Sequence, residues 1–220
     1  MNKKTLLAGA CALAFSSSAL MAADEPGFNF SVGAEGGFAG GQAELSKTIG
    51  ADLNTVDLGT QGAGGGVMLS VGYLFEGGFA LALEGSGMWY STDAKVTQSN
   101  GRLGNVKVEM KDNYNIMGCF GYKVADCVIP FLRMGVAFSK WESSDTSFAT
   151  TGKRDKYLTG FVGGLGVDFM LSKNIALGFV YDHAWYNDMS YKNYNGSTDI
   201  GNSKVKPEIN TFKARVRFVF

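Results

Sequence analysis

The dominant feature of this sequence is an alternation of apolar residues with small or polar residues, which recurs along most of the chain. In the last example, TFKARVRFVF, Phe212, Val216 and Phe220 share one face, while Thr211 and Arg215 share the other. Such a period of two is typical of β-strands that lie between an apolar and a polar environment. Eight segments carry the pattern: 28–39, 65–75, 79–90, 112–122, 129–140, 157–171, 175–186 and 209–220.

The connections between these segments alternate in length. Short turns are predicted at 76–78, 123–128 and 172–174. The other connections are long and polar, and they comprise residues 40–64, 91–111, 141–156 and 187–208. Short turns on one side, long loops on the other and strands of about ten residues are typical of transmembrane up-and-down barrels. We therefore predict an all-β fold, an eight-stranded antiparallel up-and-down transmembrane β-barrel.

The polar face of the predicted strands carries charges of both signs. They are Glu35, Glu84, Arg133, Asp168, Asp182, Lys213, Arg215 and Arg217. An eight-stranded barrel is just wide enough for side chains to fill it, and buried charges must be paired or hydrated. Counting residues from the strand ends places Lys213 and Arg215 against Glu35 and Asp182, at the seam between the first and last strands. The other four charges are expected to form a lower tier, and a soluble barrel with its apolar face inside is the competing interpretation.

Aromatic residues mark both edges of the apolar face. Near the long-loop end, the aromatic belt is predicted to contain Trp89, Tyr114, Tyr157 and Trp185. Near the short-turn end lie Phe75, Phe79, Tyr122, Phe169 and Phe218. Two such belts are expected where aromatic rings meet the headgroup levels of a bilayer. Trp141 breaks the alternation of its segment, so it is predicted to lie in the interior or in a loop.

The first residues have the three parts of a secretory signal. A basic start at Lys3 and Lys4 precedes an apolar stretch from Leu6 to Phe15, which is followed by small residues up to Ala23. Because this apolar stretch is too short to span a bilayer, we expect residues 1–23 to be a cleaved signal peptide and residues 24–220 to form the barrel domain. Export permits a disulfide between Cys119 and Cys127, and the spacing leaves this pairing open.

Charge and composition exclude other classes of protein. Twenty basic residues balance twenty acidic ones, so no basic excess indicates binding to nucleic acid. The chain has one histidine and three cysteines, which leave little material for a metal site. We therefore predict no metal ligands, no cofactor and no nucleic-acid partner.

The terminal segment TFKARVRFVF resembles the last-strand signature by which the outer-membrane assembly machinery recognises its clients. With VMLSVGYLF, FALALEGSG and GGLGVDFML, it resembles the outer-membrane β-barrel domain family of small Gram-negative surface proteins, similar to OmpA-type and opacity-type barrels. The resemblance implies an outer-membrane location, with short periplasmic turns, long extracellular loops and an assembly signal at Phe212, Phe218 and Phe220. It also implies contact with membrane lipids and lipopolysaccharide, the assembly machinery, periplasmic chaperones and, through the loops, host surface molecules.

Enzymes built on similar barrels use a histidine near the outer rim. The single histidine here is His183, which parity places on the lipid-facing side beside Trp185. Lipid A deacylases of this kind have a serine two residues after their histidine, and Trp185 stands at that position. Asp182 is expected to be a salt-bridge partner rather than a general base. We therefore predict no catalytic residues and a structural or adhesin-like surface protein, with a narrow channel or a lipid-modifying enzyme as alternatives.

Overall fold

The computed structural model describes residues 26–49, 52–96, 106–145, 152–195 and 198–220, and most of them lie in β-strands. The strands are β1 (Gly27–Ile49), β2 (Asp52–Leu74), β3 (Phe79–Val96), β4 (Val106–Tyr122), β5 (Val128–Asp145), β6 (Gly152–Ser172), β7 (Ile175–Tyr186), β8 (Met189–Asn195) and β9 (Thr198–Val219). No helix in this described part of the chain has the length and apolarity to cross a membrane. The predicted signal peptide, residues 1–23, lies outside the described residues.

The strands form one closed antiparallel sheet. From β1 to β7 each strand pairs with the next, and β1 pairs with β9 to complete the ring. Strands β7 and β8 lie end to end against β9, with a break at residues 187–188. The nine segments therefore make eight barrel strands, and the prediction of an eight-stranded antiparallel barrel is confirmed.

Neighbouring strands are strongly staggered around the ring. Following the cross-strand partners from Ser31 of β1 through each barrel strand in turn leads back to β1 at Gly41, ten residues further along. A stagger of this size in an eight-stranded barrel corresponds to a strand tilt of about 40°. The barrel is consequently narrow, and side chains can fill its interior.

The apolar faces of the strands point outward. Large apolar side chains are exposed on every barrel strand, for example Phe38, Leu83 and Phe161. Inward positions hold buried polar and charged side chains together with apolar ones. This distribution suits a surrounding of lipid, and it excludes the competing interpretation of a soluble barrel.

The strands run further than the alternation predicted. β1 and β2 stay paired up to Ile49 and Asp52, so residues 40–49 and 52–64 form a β-hairpin where one long loop was predicted. The other strand segments wrongly assigned to loops are 91–96, 106–111, 141–145, 152–156, 189–195 and 198–208. Beyond the apolar band the exposed outer positions are polar, for example Gln42 and Glu44, so the apolar outer face that marked the strands ends although the backbone pairing continues.

At the opposite end the connections are short, as predicted. In the turn between β2 and β3, the Phe75 amide donates to the Phe79 carbonyl at 2.8 Å. Gly78 in this turn has a φ of 82°, which glycine adopts without steric penalty. Residues 173–174 alone join β6 to β7.

Inward-facing glycines allow adjacent strands to approach closely on the inner side of the wall. A Cβ atom added at Gly37 would lie 2.1 Å from the carbonyl oxygen of Phe212 on β9. Gly66 and Gly135 are equally confined, at 2.1 and 2.0 Å from a neighbouring carbonyl. At Gly36, which faces outward, the nearest atom would be 3.7 Å away. The inner glycines are therefore required by the curvature of the barrel.

We expect Gly37→Ala to destabilise the barrel by about 1–3 kcal/mol, the usual effect of overpacking a filled interior. Gly36→Ala, one residue away on the outer face, is the matched control and should change stability by less than about 1 kcal/mol. Urea titration of the refolded protein in detergent micelles, followed by tryptophan fluorescence, measures both effects. Equal unfolding midpoints for the two variants would contradict the close approach of β1 and β9.

Candidate functional site

The structure turns all the predicted lumen charges inward. Glu35 comes from β1, Glu84 from β3, Arg133 from β5, Asp168 from β6, Asp182 from β7, and Lys213, Arg215 and Arg217 from β9. Each shares the parity of the small and polar residues of its strand, and the pleat therefore directs it into the barrel. All are buried except Arg217, which is half-buried.

Arg133 crosses the lumen between two strands that are not its neighbours. Its Nη1 donates to Glu84 Oε1 on β3 at 2.6 Å, and its Nε donates to Asp182 Oδ1 on β7 at 2.6 Å. Its Nη2 also donates to Asp182 Oδ2, which makes that contact bidentate. The Arg133 side chain is 0% exposed. Charge-assisted bonds of this geometry are among the strongest in proteins, and here they tie separate parts of the ring together.

Arg215 makes a second crossing. Its Nη1 donates to Glu84 Oε2 at 2.7 Å. Its Nε and Nη2 donate to the two carboxylate oxygens of Asp168 at 3.1 and 3.0 Å. Arg217 donates to Asp168 Oδ2 from the short-turn side. Glu84 thus accepts one guanidinium on each oxygen and links the contacts of Arg133 to those of Arg215.

Lys213 lies at the seam between the first and last strands. Its Nζ is 2.9 Å from Asp182 Oδ2 on β7 and 3.6 Å from Glu35 Oε1 on β1. These are the two carboxylates that residue counting placed beside it. Because β9 is hydrogen-bonded to both of those strands, the ammonium group joins three neighbouring strands.

The prediction of which carboxylates pair with Arg215 was wrong. Arg215 was predicted to share Glu35 and Asp182 with Lys213, but it reaches the carboxylates of β3 and β6 instead. Arg215 and Glu35 are cross-strand partners in the backbone register, yet the long arginine side chain extends past its neighbour. Asp182 is already occupied by Arg133 and Lys213. Arg133, assigned to the lower tier, also connects the two predicted tiers.

Above this charge cluster the lumen contains an apolar layer. Its members are Ala39, Met88, Tyr90, Met110, Met117, Ala137, Trp141, Leu158, Val162, Ala184, Tyr186 and Ile209. Trp141 is 0% exposed and meets the Tyr186 ring edge-on at a centroid distance of 5.8 Å, so of the two predicted positions, interior or loop, it takes the interior one. The layer itself was missed, since methionine suits lipid and protein surroundings equally. The shared parity of Met88 and Glu84 is the signal that would have revealed it.

The two layers together make the described lumen resemble a packed core. Its four acidic and four basic side chains balance in charge, as buried ions require. The apolar layer adds large side chains directly above them. An interior of this width filled by side chains differs from the water-filled lumen of a wide porin.

The predicted outer-belt residues point outward. Trp89, Tyr114, Tyr157 and Trp185 are all exposed on the outer face. Tyr114 is paired with Phe138, which in turn is paired with Thr159. Tyr157 is the next outward residue from Thr159 toward the long-loop end, so it lies closer to that end than Tyr114 does. Rings at these positions suit the headgroup level of a bilayer.

A polar cluster lies beside Trp185 on the outer face of β7 and β9. Asn210 Oδ1 accepts hydrogen bonds from the Tyr181 hydroxyl at 2.6 Å and from His183 Nδ1 at 2.8 Å. His183 Nε2 is 3.8 Å from Glu208 Oε2, and the imidazole ring is 4.1 Å from the Trp185 ring. We call Tyr181, His183, Glu208 and Asn210 the outer polar cluster. Parity placed His183 here, but Asn210 and Glu208 were missed because finding them requires the β7–β9 register.

The two cysteines of the predicted barrel domain are separate in the structure. Cys119 and Cys127 are unbridged, the first half-buried and the second exposed. Within the described ranges, no group of three or more His, Cys, Asp or Glu side chains could hold a metal ion. Asp182 is held by Arg133 and Lys213, the ion-pair role expected for it.

The chain end is tied to β1 by its backbone. Phe30 and Phe220 exchange two backbone hydrogen bonds, at 3.1 and 2.8 Å. Phe212 and Phe218 are exposed on the outer face of β9. These backbone bonds do not depend on the Phe220 ring. A substitution of that side chain therefore removes the predicted assembly signal and leaves the bonds that close the barrel.

The ion-pair network predicts which charge changes are coupled. We expect Arg215→Ala to destabilise the barrel by about 3–5 kcal/mol, because two buried carboxylates lose a partner. Adding Glu84→Gln should give less than the sum of the single effects, with a coupling of about 0.5–3 kcal/mol. Glu35→Gln is the comparison and should couple to Arg215→Ala more weakly than Glu84→Gln does, since Glu35 lies beside Arg215 in the register but faces Lys213. Urea titrations measure both cycles, and coupling to Glu35 but not to Glu84 would contradict the observed pairing.

The predicted assembly signal can be tested at Phe220. We expect Phe220→Ala to lower the amount of protein inserted in the outer membrane, while the refolded variant keeps the urea midpoint of the unchanged protein. Phe28→Ala, which removes another exposed ring at the same end of the barrel, is the control and should insert normally. Membrane fractionation and heat-modifiability on gels measure insertion. An equal loss of insertion in both variants would remove the special role of the terminal phenylalanine.

Solved structures share this fold. The chain is similar to the outer membrane protein OprG of Pseudomonas aeruginosa, with 14% identity and a TM-score of 0.56 over 89% of this chain and 97% of that one. It is also similar to the outer membrane protease OmpT of Escherichia coli, with 9% identity and a TM-score of 0.55 over 93% and 100% of the two chains. Ail, the attachment invasion locus protein of Yersinia pestis, aligns with 13% identity and a TM-score of 0.46 over 89% and 100%. At identities this low, the OprG and OmpT alignments show a common fold alone.

Family membership comes from the sequence match. No curated protein matches the chain. The family described as the outer membrane protein beta-barrel domain matches residues 7–220, which is nearly the whole chain. The match agrees with the closed barrel and its apolar outer face, and it supports an outer-membrane location. The chain therefore belongs to the outer membrane protein β-barrel domain family.

Proposed function

We propose that the protein is an integral outer-membrane surface barrel whose extended strands display an interaction surface, in a structural or adhesin-like role. Strand length is the observation that carries this proposal. β1 and β2 contain 23 residues each, and β9 contains 22. A tilted strand crosses a bilayer with about 9–11 residues, so each of these strands continues well beyond the membrane.

The outer wall changes character where the extension begins. On β1 the exposed apolar positions end at Phe38, and the exposed positions Gln42 and Glu44 follow. On β9 the exposed residues Lys204 and Lys206 precede the apolar stretch. A polar, hydrogen-bonded wall above an apolar band suits recognition of water-soluble molecules at the cell surface.

The lumen gives no support to the alternative of a narrow channel. Arg133 and Trp141 are both 0% exposed, one in each interior layer. A passage would require the charge cluster and the apolar layer to rearrange together. We therefore assign the function to the outside of the barrel.

We assign the protein no catalytic role. His183 Nδ1 is engaged by Asn210 Oδ1, and its ring packs against Trp185. An imidazole held this way anchors a polar cluster at the membrane surface. In the described part of the chain, the polar and ring contacts of His183 are to Asn210, Glu208 and Trp185 rather than to a serine or cysteine nucleophile.

The proposed partners follow from this placement. Residues 1–23 would direct export, after which periplasmic chaperones and the assembly machinery would insert the barrel. Membrane lipids, including lipopolysaccharide, would surround the apolar band. Host surface molecules would bind to the extended hairpins.

Excision of the hairpins at matched register positions tests the proposal. Residues 44–57 can be replaced by Asn-Gly, which keeps the pair Ala43↔Leu58 and every pair below it. Residues 190–204 can be replaced in the same way, which keeps Met189↔Val205. We expect both variants to fold, as judged by heat-modifiability, and at least one to lose most binding of expressing bacteria to laminin- or fibronectin-coated wells or to cultured epithelial cells.

The full-length protein is the positive control of this binding assay, and bacteria with empty vector are the negative control. Binding by the full-length protein that both folded excision variants retain would overturn the hairpin role. Full-length protein that binds no better than empty vector on any of the three surfaces would overturn the adhesin-like role itself. Loss in only one variant would assign binding to that hairpin.

A further inference from the structure

The outer polar cluster is out of place on a lipid-facing wall. Tyr181, His183 and Asn210 occupy outward positions, and Phe212 packs against Tyr181 with ring centroids 4.8 Å apart. Polar groups in an apolar surrounding are unfavourable unless they are hydrogen-bonded. Their mutual hydrogen bonds satisfy only part of this requirement, so the cluster keeps groups that can bind a polar partner at the membrane surface.

The hydrogen bonds within the cluster determine what it offers to such a partner. The Asn210 amide oxygen can only accept, so the Tyr181 hydroxyl and His183 Nδ1 are its donors. This arrangement leaves the two N–H groups of the Asn210 amide facing away from both of them. The Glu208 carboxylate, which lies 3.8 Å from His183 Nε2, provides acceptors on the same face.

Trp185 adds a flat apolar surface next to these groups. Its indole is 46% exposed, stacks on the Phe161 ring at 5.9 Å and contacts the His183 ring at 4.1 Å. Lys206 is exposed at the next outward position of β9 beyond Glu208. The ensemble therefore presents an aromatic face, several hydrogen-bonding groups and one cation within a small area.

We propose that this ensemble binds the phosphorylated sugar headgroup of a glycolipid in the outer leaflet, of the lipid A type. A sugar ring has an apolar face that matches the Trp185 indole, and hydroxyl and amide groups that match Asn210, His183 and Glu208. A phosphate on that sugar pairs with Lys206. Because the cluster lies on the lipid-facing wall at the level of the aromatic belt, its ligand must be anchored in the membrane.

Native mass spectrometry of the refolded barrel in detergent micelles tests this proposal. The probes are hexa-acylated bisphosphorylated lipid A, its dephosphorylated form, phosphatidylglycerol and phosphatidylethanolamine. We expect bisphosphorylated lipid A to be retained best, and Asn210→Leu or Trp185→Leu to weaken its binding by about tenfold. Lys206→Gln should weaken binding of the phosphorylated form and leave the dephosphorylated form unchanged.

Trp89→Leu is the matched control, because Trp89 is 50% exposed in the same belt on another strand. It should bind lipid A like the unchanged protein. Equal losses for Trp185→Leu and Trp89→Leu, or equal retention of lipid A and phosphatidylglycerol, would overturn the proposal. Should Asn210→Leu fail to refold, Trp185→Leu and Lys206→Gln decide the matter.

These outcomes are independent of the adhesin-like role. Both hairpin excisions leave 181–185 and 206–210 unchanged, so they should retain lipid A. A dimer that forms only in the absence of lipid and disappears in Trp185→Leu would identify a second copy of the chain as the occupant, which would also overturn the proposal.

Discussion

Closure of eight staggered strands into a narrow ring is the constraint from which the other features follow. The wall curves so tightly that several inward positions admit only glycine, and the remaining inward side chains must fill a small space. Charged side chains can enter such a space only in balanced pairs. The interior therefore combines glycine, neutralised charges and an apolar layer.

The ion pairs do more than neutralise charge, since they join strands that have no backbone contact. Arg133 connects β5 to β3 and β7, and Arg215 connects β9 to β3 and β6. Backbone hydrogen bonds hold only neighbouring strands together. The guanidinium groups thus brace the ring across its axis, where no ladder can act. Glu84 is common to both braces, which makes it the junction of the network.

The sequence predicted those features of the barrel that depend on the local two-residue alternation. The alternation of successive side chains between the two faces of a strand was enough to place the eight charges inward and Trp89 and Trp185 outward, because this alternation is a local property of the pleated backbone. It gave the partners of Lys213 but not those of Arg215, whose long side chain chooses among several carboxylates in three dimensions. It also missed the strand segments beyond the apolar band, where the outer face no longer carries the apolar residues that marked the strands.

The charged and apolar layers inside the barrel support the wall, and the extended strands form its outer surface. β7 ends at Tyr186, just after Trp185 pairs with Glu208, and β8 begins at Met189 to continue the wall upward. The break therefore lies directly above the outer polar cluster. A glycolipid held by that cluster would sit at the base of the β8–β9 hairpin. The two proposed interactions therefore meet at one feature of the fold, the break between β7 and β8.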